Sequence, residues 1–287
     1  MNQKRKMVSI SSTYNEKEKF LLYSGDCLEL FRQIPDNSAR LIVTSPPYNL
    51  GKEYETRQPL KDYLDSFEEL IRECVRILHP RGSLCWQVGT YVRSGQIFPL
   101  DALFYPLFKK HGFKLKNRII WHFETGLNCF KRLSGRHETV LWFTKSNDYV
   151  FNLDAIRVPR KAARKKYTQG EKKGQLMGSP LGKNPGDVWL IPKSQIEHTT
   201  HPCPYPVALI ERLILAFTNP GDLVVDPYLG SGTTAVAALL HNRRCAGAER
   251  VPKYIQIIKD RLQQLEKGTL KYKPLDSITS LNQRKAA

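Results

Sequence analysis

Asp222-Leu223-Val224-Val225-Asp226-Pro227-Tyr228-Leu229-Gly230-Ser231-Gly232-Thr233-Thr234-Ala235 is the stretch on which the fold turns. Its first five residues read as a strand, Pro227 to Gly232 as a glycine turn, and Thr233 to His241 as a helix; Arg244 to Glu249 reads as the next strand and Pro252 to Leu265 as the last helix. Strand, turn, helix, strand, helix is the grammar of a parallel sheet. Gly230 and Gly232 let the backbone bend sharply and approach a ligand, at which the free N–H groups of the following helix would point. Gly230-x-Gly232-x-x-Ala235 meets the loose dinucleotide fingerprint, and Glu249 stands about 20 residues on, where an acid can hold ribose hydroxyls. No Lys-Ser/Thr follows the glycines, so a P-loop is excluded. Taken alone, a nicotinamide dehydrogenase would account for these residues, and a tight packing turn with no ligand would account for the glycines.

Outward from this unit, Pro206 to Phe217 has helical spacing and ends at Asn219-Pro220-Gly221. On the N-terminal side Lys19 to Tyr23 predicts a strand leading into Gly25-Asp26, and Ala39 to Thr44 a second that stops at two prolines. Apolar residues at 64, 67, 70, 71, 74, 75, 77 and 78 predict a helix over Tyr63 to Leu78, closed by His79-Pro80-Arg81-Gly82. Ser83 to Val88, Phe113 to Phe123 and Thr139 to Thr144 read as further strands. Periodicity is lost from about Gly268, so residues 268–287 are expected to form a loose tail.

The strand over Ala39 to Thr44 runs into Ser45-Pro46-Pro47-Tyr48 at the edge where open α/β sheets bind ligands. Two prolines fix the backbone, so the Ser45 hydroxyl and the Pro46 carbonyl can be held as two acceptors facing one point. Such a pair suits an amino group, and Tyr48 adds an aromatic face for a planar heterocycle. Taken alone, the segment also reads as a rigid turn.

The 287 residues carry 45 Lys and Arg against 27 Asp and Glu, a formal charge of +18. That excess favours a polyanionic partner, nucleic acid first and an anionic membrane surface second. Nine of the cations lie between Arg157 and Lys183 with Glu171 as the sole acid and Gly170, Gly174, Gly178 and Gly182 interleaved. This stretch reads as a loop, and its cluster Arg160, Lys161, Arg164, Lys165 and Lys166 is the candidate phosphate contact; a solvated linker is the plainer reading. The six cysteines show no CxxC pair, which argues against a zinc ribbon or a disulfide framework, and no metal site is expected. No apolar run reaches the roughly 20 residues that span a bilayer, and the first residues lack the apolar core of a signal peptide.

Together, the turn with its distal acid and the strand ending in Ser-Pro-Pro-Tyr-Asn resemble the S-adenosylmethionine-dependent amino-methyltransferases of DNA. Their signatures are Asp-Pro-Phe/Tyr-x-Gly-Ser-Gly-Thr-Thr and Asp/Ser-Pro-Pro-Tyr/Phe. The order here, catalytic motif first and cofactor turn last with a basic stretch between, resembles the beta class of restriction-modification systems. The resemblance runs from about Leu21 to Leu265; Tyr228 departs from the common Phe.

It implies an α/β fold: a doubly wound, mostly parallel seven-stranded Rossmann-like sheet, circularly permuted, with a target-recognition insertion. The halves would be 1–150 (catalytic) and 201–267 (cofactor), with the insertion at 151–200. It implies S-adenosylmethionine as cofactor, held by Asp26, Cys27, His201, Pro202, Asp226, Tyr228, Gly230, Ser231, Gly232, Thr233, Thr234 and Glu249. The catalytic loop would be Ser45, Pro46, Pro47, Tyr48 and Asn49, with Tyr48 stacking on a flipped base and Asn49 supporting the loop. Arg136-His137-Glu138 would line the side of the target base. The expected partner is double-stranded DNA in the cytoplasm; the family also admits a cognate restriction endonuclease and a homodimer. Ser-Pro-Pro-Tyr is mostly a cytosine-N4 motif, Asp-Pro-Pro-Tyr an adenine-N6 motif, so N4 of cytosine is favoured and N6 of adenine is the alternative. A nicotinamide oxidoreductase and a non-enzymatic nucleic-acid binder remain as rivals from other classes.

Overall fold

Alternation sorts the strand residues between two apolar layers: Leu41 and Val43 face one and Ile42 the other, Val224 one and Leu223 and Val225 the other. Both faces of these strands are thereby buried, the condition of a parallel sheet covered by helices on each side. The computed structural model describes residues 10–126, 128–160, 162–193 and 201–275.

In chain order the elements are β1 (Ile10–Ser11), β2 (Phe20–Ser24), α1 (Cys27–Gln33), β3 (Ala39–Thr44), α2 (Leu60–Asp65), α3 (Glu68–Ile77), β4 (Leu78–Val88), β5 (Thr90–Arg93), β6 (Gln96–Pro99), α4 (Leu100–Lys110), β7 (Lys114–His122) and β8 (His137–Thr144). A 3-10 turn at Leu153–Ile156 follows, then β9 (Val188–Leu190), α5 (Val207–Phe217), β10 (Leu223–Asp226), α6 (Thr233–Leu240), β11 (Arg244–Glu249) and α7 (Pro252–Lys267). The main sheet has the order β1-β2-β11-β10-β3-β4-β8-β7-β9. Only β8 runs against its neighbours. Residues of α1, α3 and α4 fill the core on one face, and those of α5, α6 and α7 the core on the other, which is a doubly wound arrangement.

The sheet has nine strands rather than the seven expected. The two additions are its edges, two and three residues long, too short to leave a periodic trace in the sequence. The helix expected over Tyr63 to Leu78 is two helices, because the Ser66 hydroxyl bonds back to the Tyr63 carbonyl and the Phe67 N–H reaches only to Leu64. The following strand begins at Leu78, and residues 79–82 bulge between its pairings with Ala39 and Leu41.

The tail is not loose over its first part. Gly268, at φ +69°, caps α7, and Leu275 is buried with its N–H on the Glu211 carboxylate at 2.8 Å. Leu270 and Tyr272 also pack against the core, so residues 268–275 are anchored without any periodicity; residues 276–287 lie outside the described residues.

The stretch expected as a plain loop is also more ordered. Val158 and Lys183 bridge at its neck, Lys166 and Leu176 further out, and Tyr167 and Lys173 near the tip, so residues 158–183 fold back as a hairpin-like arm. Before it, Asn152 is bonded to the carbonyl of Thr218 beyond α5, and after it β9 joins the sheet beside β7. Among the described residues of 151–200, these bridges place 158–160 and 162–183 in one hairpin-like arm. Among the described residues no helix is long and apolar enough to cross a membrane.

Candidate active site at the carboxyl edge of the sheet

β10 and β3 lie side by side, and the chain leaves them in opposite directions, to β11 and to β4. Open α/β sheets place ligands in the crevice at such a switch point. Asp226, the last residue of β10, is wholly buried there. Its carboxylate accepts from the hydroxyls of Thr44 (2.7 Å), Thr234 (2.6 Å) and Tyr205 (3.0 Å) and from the Tyr228 N–H (3.0 Å). Burial pushes this carboxyl up, and the four donors pull it back. With its acceptor capacity taken up by protein, Asp226 stitches the end of β3 to the glycine turn and to α6.

The turn itself presents backbone. Gly230 and Gly232 adopt φ of +54° and +77°. A Cβ on Gly230 would stand 3.0 Å from the His201 ring, and one on Gly232 3.0 Å from Ile258. The Ser231 carbonyl accepts from buried Arg261 of α7 at 2.6 Å, and the Thr233 hydroxyl lies 3.1 Å from the same guanidinium. The side chains of Ser231, Thr233 and Thr234 are thus committed inward, to Arg261 and Asp226.

Around the turn stand the acids. Glu249 ends β11 and accepts from Gly230 N–H at 3.0 Å and Val251 N–H at 2.8 Å, while burial raises its carboxyl. Its carbonyl takes the Gly25 N–H at 3.1 Å, which ties the ends of β2 and β11 together. Asp26 caps α1 through one carboxylate oxygen on the Leu28 N–H (2.8 Å) and is itself exposed. Next to it, Cys27 is buried against the Tyr228 hydroxyl, its thiol pushed up to about 12 by burial. His201 stacks on Tyr54 at 5.8 Å between centroids and meets Tyr254 edge-on at 4.5 Å. Burial lowers its imidazole to about 4, so the ring beside Gly230 stays neutral at physiological pH. Pro202 is exposed beside it.

Across the crevice, β3 ends in the proline segment. Tyr48 donates to Glu138 at 3.1 Å, and its hydroxyl oxygen is 3.0 Å from Ser45 Oγ. A phenol has one hydrogen, and here it goes to the carboxylate, so the Ser45 hydroxyl donates to Tyr48 and keeps its lone pairs free to accept. Glu138 also accepts from Gln87 and faces Lys193 at 4.0 Å. Burial raises the Glu138 carboxyl and holds the Tyr48 phenol well above its usual value. The Tyr48 ring lies against Gly89, where a Cβ would come within 3.0 Å.

The rest of the loop is braced. Asn49, buried at φ +61°, exchanges two bonds with the Gln58 backbone at 2.7 and 2.8 Å. Glu55 takes the N–H groups of Asn49 and Leu50, each at 2.7 Å, and Tyr63 donates to the Pro47 carbonyl at 2.7 Å. Pro46 is buried.

The structure therefore gathers Asp26, Gly230, Glu249 and His201 on one rim and Ser45 to Asn49 with Glu138 on the other. Of the basic cluster, Arg160, Lys165 and Lys166 are exposed and Arg164 half-buried, on the arm; Lys161 lies outside the described residues. Residues not singled out from the sequence include Gln87, Gly89, Glu55, Tyr205, Gly247 and Arg261. Only Gly89, just past the end of β4, and Gly247, inside β11, carried a signal that a close approach was required.

Residues 39–260 match the family model described as DNA methylase. The Type II methyltransferase M.BglII of Bacillus subtilis is 48% identical over 252 residues, covering 86% of this chain and 70% of that protein. Among solved structures, TTHA0409 of Thermus thermophilus, described as a putative DNA modification methylase complexed with S-adenosyl-L-methionine, is 30% identical with a TM-score of 0.61, over 86% of this chain and 94% of its own. PvuII DNA methyltransferase, described as cytosine-N4-specific, aligns at a TM-score of 0.70 and 21% identity over 90% and 94% of the two chains, a likeness of fold.

Proposed function

This chain belongs to the DNA methylase family of N6 and N4 amino-methyltransferases, and from that premise we propose that it transfers a methyl group from S-adenosylmethionine to N4 of cytosine in duplex DNA. The observation that carries the finer reading is the polarity of the chain Ser45 to Tyr48 to Glu138, which leaves a neutral hydroxyl as acceptor at the mouth of the loop.

The rim suits a nucleoside cofactor. Gly230 leaves no room for a side chain, so a ligand meets backbone there; Glu249 keeps lone pairs on both oxygens for ribose hydroxyls, and Asp26 keeps one oxygen outside its capping bond. The neutral His201 and Pro202 would border the other end, with Cys27 and Tyr228 as the buried wall. S-adenosylmethionine, when bound, supplies a methyl group activated by the sulfonium charge.

An exocyclic amine has its lone pair delocalised into the ring. Ser45 Oγ and the Pro46 carbonyl would accept its two N–H bonds, which would turn nitrogen toward tetrahedral geometry and free its lone pair for attack. As nitrogen would take the methyl group, whose bond to the sulfonium sulfur breaks to leave a neutral thioether, it would give up one proton. Ser45 accepts it while its own hydrogen passes to Tyr48 and that of Tyr48 to Glu138, whose raised carboxyl is suited to receive it. Tyr48, held against Gly89, offers its ring to the flipped base, and Asn49 keeps the loop in place.

Plasmid DNA from cells expressing the protein in an unmethylated host is expected to yield N4-methylcytosine when digested to nucleosides and analysed by mass spectrometry. N6-methyladenine in its place would overturn the base assignment and leave the family untouched.

The arm is assigned to the DNA backbone. Replacing Arg160, Arg164, Lys165 and Lys166 with neutral residues is expected to weaken DNA binding and to flatten its salt dependence by up to about 0.9 log units per lost phosphate contact. Cofactor affinity stays as it was. Isotherms over a salt series that keep the parent slope would make the arm a solvated hairpin.

A further inference from the structure

Between β7 and β8 the chain leaves the sheet at the same edge as the catalytic loop. The neck is tight: His122 pairs with His137, and the Phe123 N–H donates to the Arg136 carbonyl at 2.9 Å. One residue further along is Glu138, already bonded to Tyr48. The tip, residues 128–136, is braced from within, because the Cys129 N–H donates to Ser134 Oγ at 3.0 Å and Arg136 donates to Asn128 Oδ1 at 2.9 Å.

On this tip stand the two most exposed large apolar side chains among the described residues, Phe130 at 101% and Leu133 at 95% of their reference areas. Between them are the exposed cations Lys131 and Arg132. A single apolar side chain on a surface is ordinary, but two at one braced tip, separated only by cations and rooted beside the base-side acid, call for a partner with an apolar interior and anionic flanks. The base stack of a duplex, bordered by phosphates, has that chemistry.

Extruding a base breaks its stacking and leaves a gap, and apolar wedges such as Phe and Leu are the side chains that enter such steps. We propose that Phe130, supported by Leu133, enters the base stack beside the target and holds the gap open, while Lys131 and Arg132 grip the flanking phosphates. This rests on the amino-methyltransferase reading. Both are positioning residues, since neither touches the reacting atoms.

The test uses one plasmid from an unmethylated host, either negatively supercoiled or linearised, with tritiated S-adenosylmethionine under single-turnover conditions. On linear DNA the double variant Phe130→Ala/Leu133→Ala is expected to transfer methyl groups about tenfold more slowly or worse, since it must open the stack unaided. Negative supercoiling eases opening and is expected to bring the variant within about threefold of the parent. Phe130→Leu keeps most of the rate, and calorimetric affinity for S-adenosylmethionine does not change. A parent-like rate on linear DNA overturns the proposal, as does an equal loss on both forms, which would make the tip a docking contact. A parent protein that methylates neither form signals instead the failure of the methyltransferase reading.

Discussion

Ser45→Ala is expected to lower the methyl-transfer rate by about two to three powers of ten while leaving cofactor affinity unchanged. The size follows from removing one preorganised polar contact to the reacting group, roughly 2 to 4 kcal/mol of barrier. Two features make Ser45 that contact. Its oxygen is held as an acceptor because its hydrogen is spent on Tyr48, whose hydrogen is in turn spent on Glu138. Its backbone is fixed by the following prolines and by Tyr63 on the Pro47 carbonyl, so little reorganisation accompanies reaction. The rim proposed for the cofactor, Asp26, His201, Gly230 and Glu249, makes no hydrogen bond to Ser45, which is why affinity for S-adenosylmethionine should survive.

The same chain predicts a pH profile. Glu138 must be ionised to receive a proton, and its carboxyl is raised by burial, so the rate should fall as pH drops through a midpoint above the ordinary carboxylate range. In Glu138→Gln that acid limb should be gone and the remaining rate low throughout. A Ser45→Ala variant with parent activity, or a Glu138→Gln variant that keeps the acid limb, would disconnect this chain from the chemistry.

Much of this site was legible as spacing along the chain. The strand Ala39–Thr44 and the unit from Leu223 to Lys267 fall within a residue or two of their expected bounds, because a buried parallel strand is a continuous apolar run that turn residues punctuate. The elements that were missed have identifiable reasons. α1 has only seven residues, too few for a clear period, although Asp26 caps it and Cys27, Leu30 and Phe31 face the core. α4 contains Pro106, which reads as a breaker in sequence but sits on the exposed face while Leu100, Phe104 and Phe108 pack inward.

Side-chain roles were less legible than positions, because direction is a tertiary property. Asp226, Ser231, Thr233 and Thr234 stand where a cofactor element should, yet their side chains face Tyr205, Thr44 and Arg261, residues far away in sequence. Glu138 was visible only as part of a segment beside the base; its partnership with Tyr48 spans 90 positions.

Gly247 shows how strongly such a hidden constraint can act. It lies opposite Asp226 in the β10–β11 pairing, and a Cβ there would come within 2.3 Å of Leu229 Cγ and 2.8 Å of the Asp226 carbonyl. Leu229 has no route of escape that spares the turn, since it is 3% exposed and its N–H is bonded to the Ala248 carbonyl at 2.9 Å. Gly247→Ala is therefore expected to lift Leu229 and with it the adjoining Gly230 N–H that rests on Glu249. Overpacking of this kind costs about 1 to 3 kcal/mol of stability, read from denaturant unfolding. Displacing the turn proposed to meet the cofactor by about an ångström is expected to lower the methyl-transfer rate by on the order of a hundredfold and to weaken S-adenosylmethionine affinity measured by calorimetry. Trimming the obstacle separates the two effects: Leu229→Ala in the Gly247→Ala background should recover part of the stability, a coupling that two independent sites would not show. Parent-like affinity in Gly247→Ala would mean that the turn tolerates the shift, and that the close approach of β11 does not set the position of the cofactor rim.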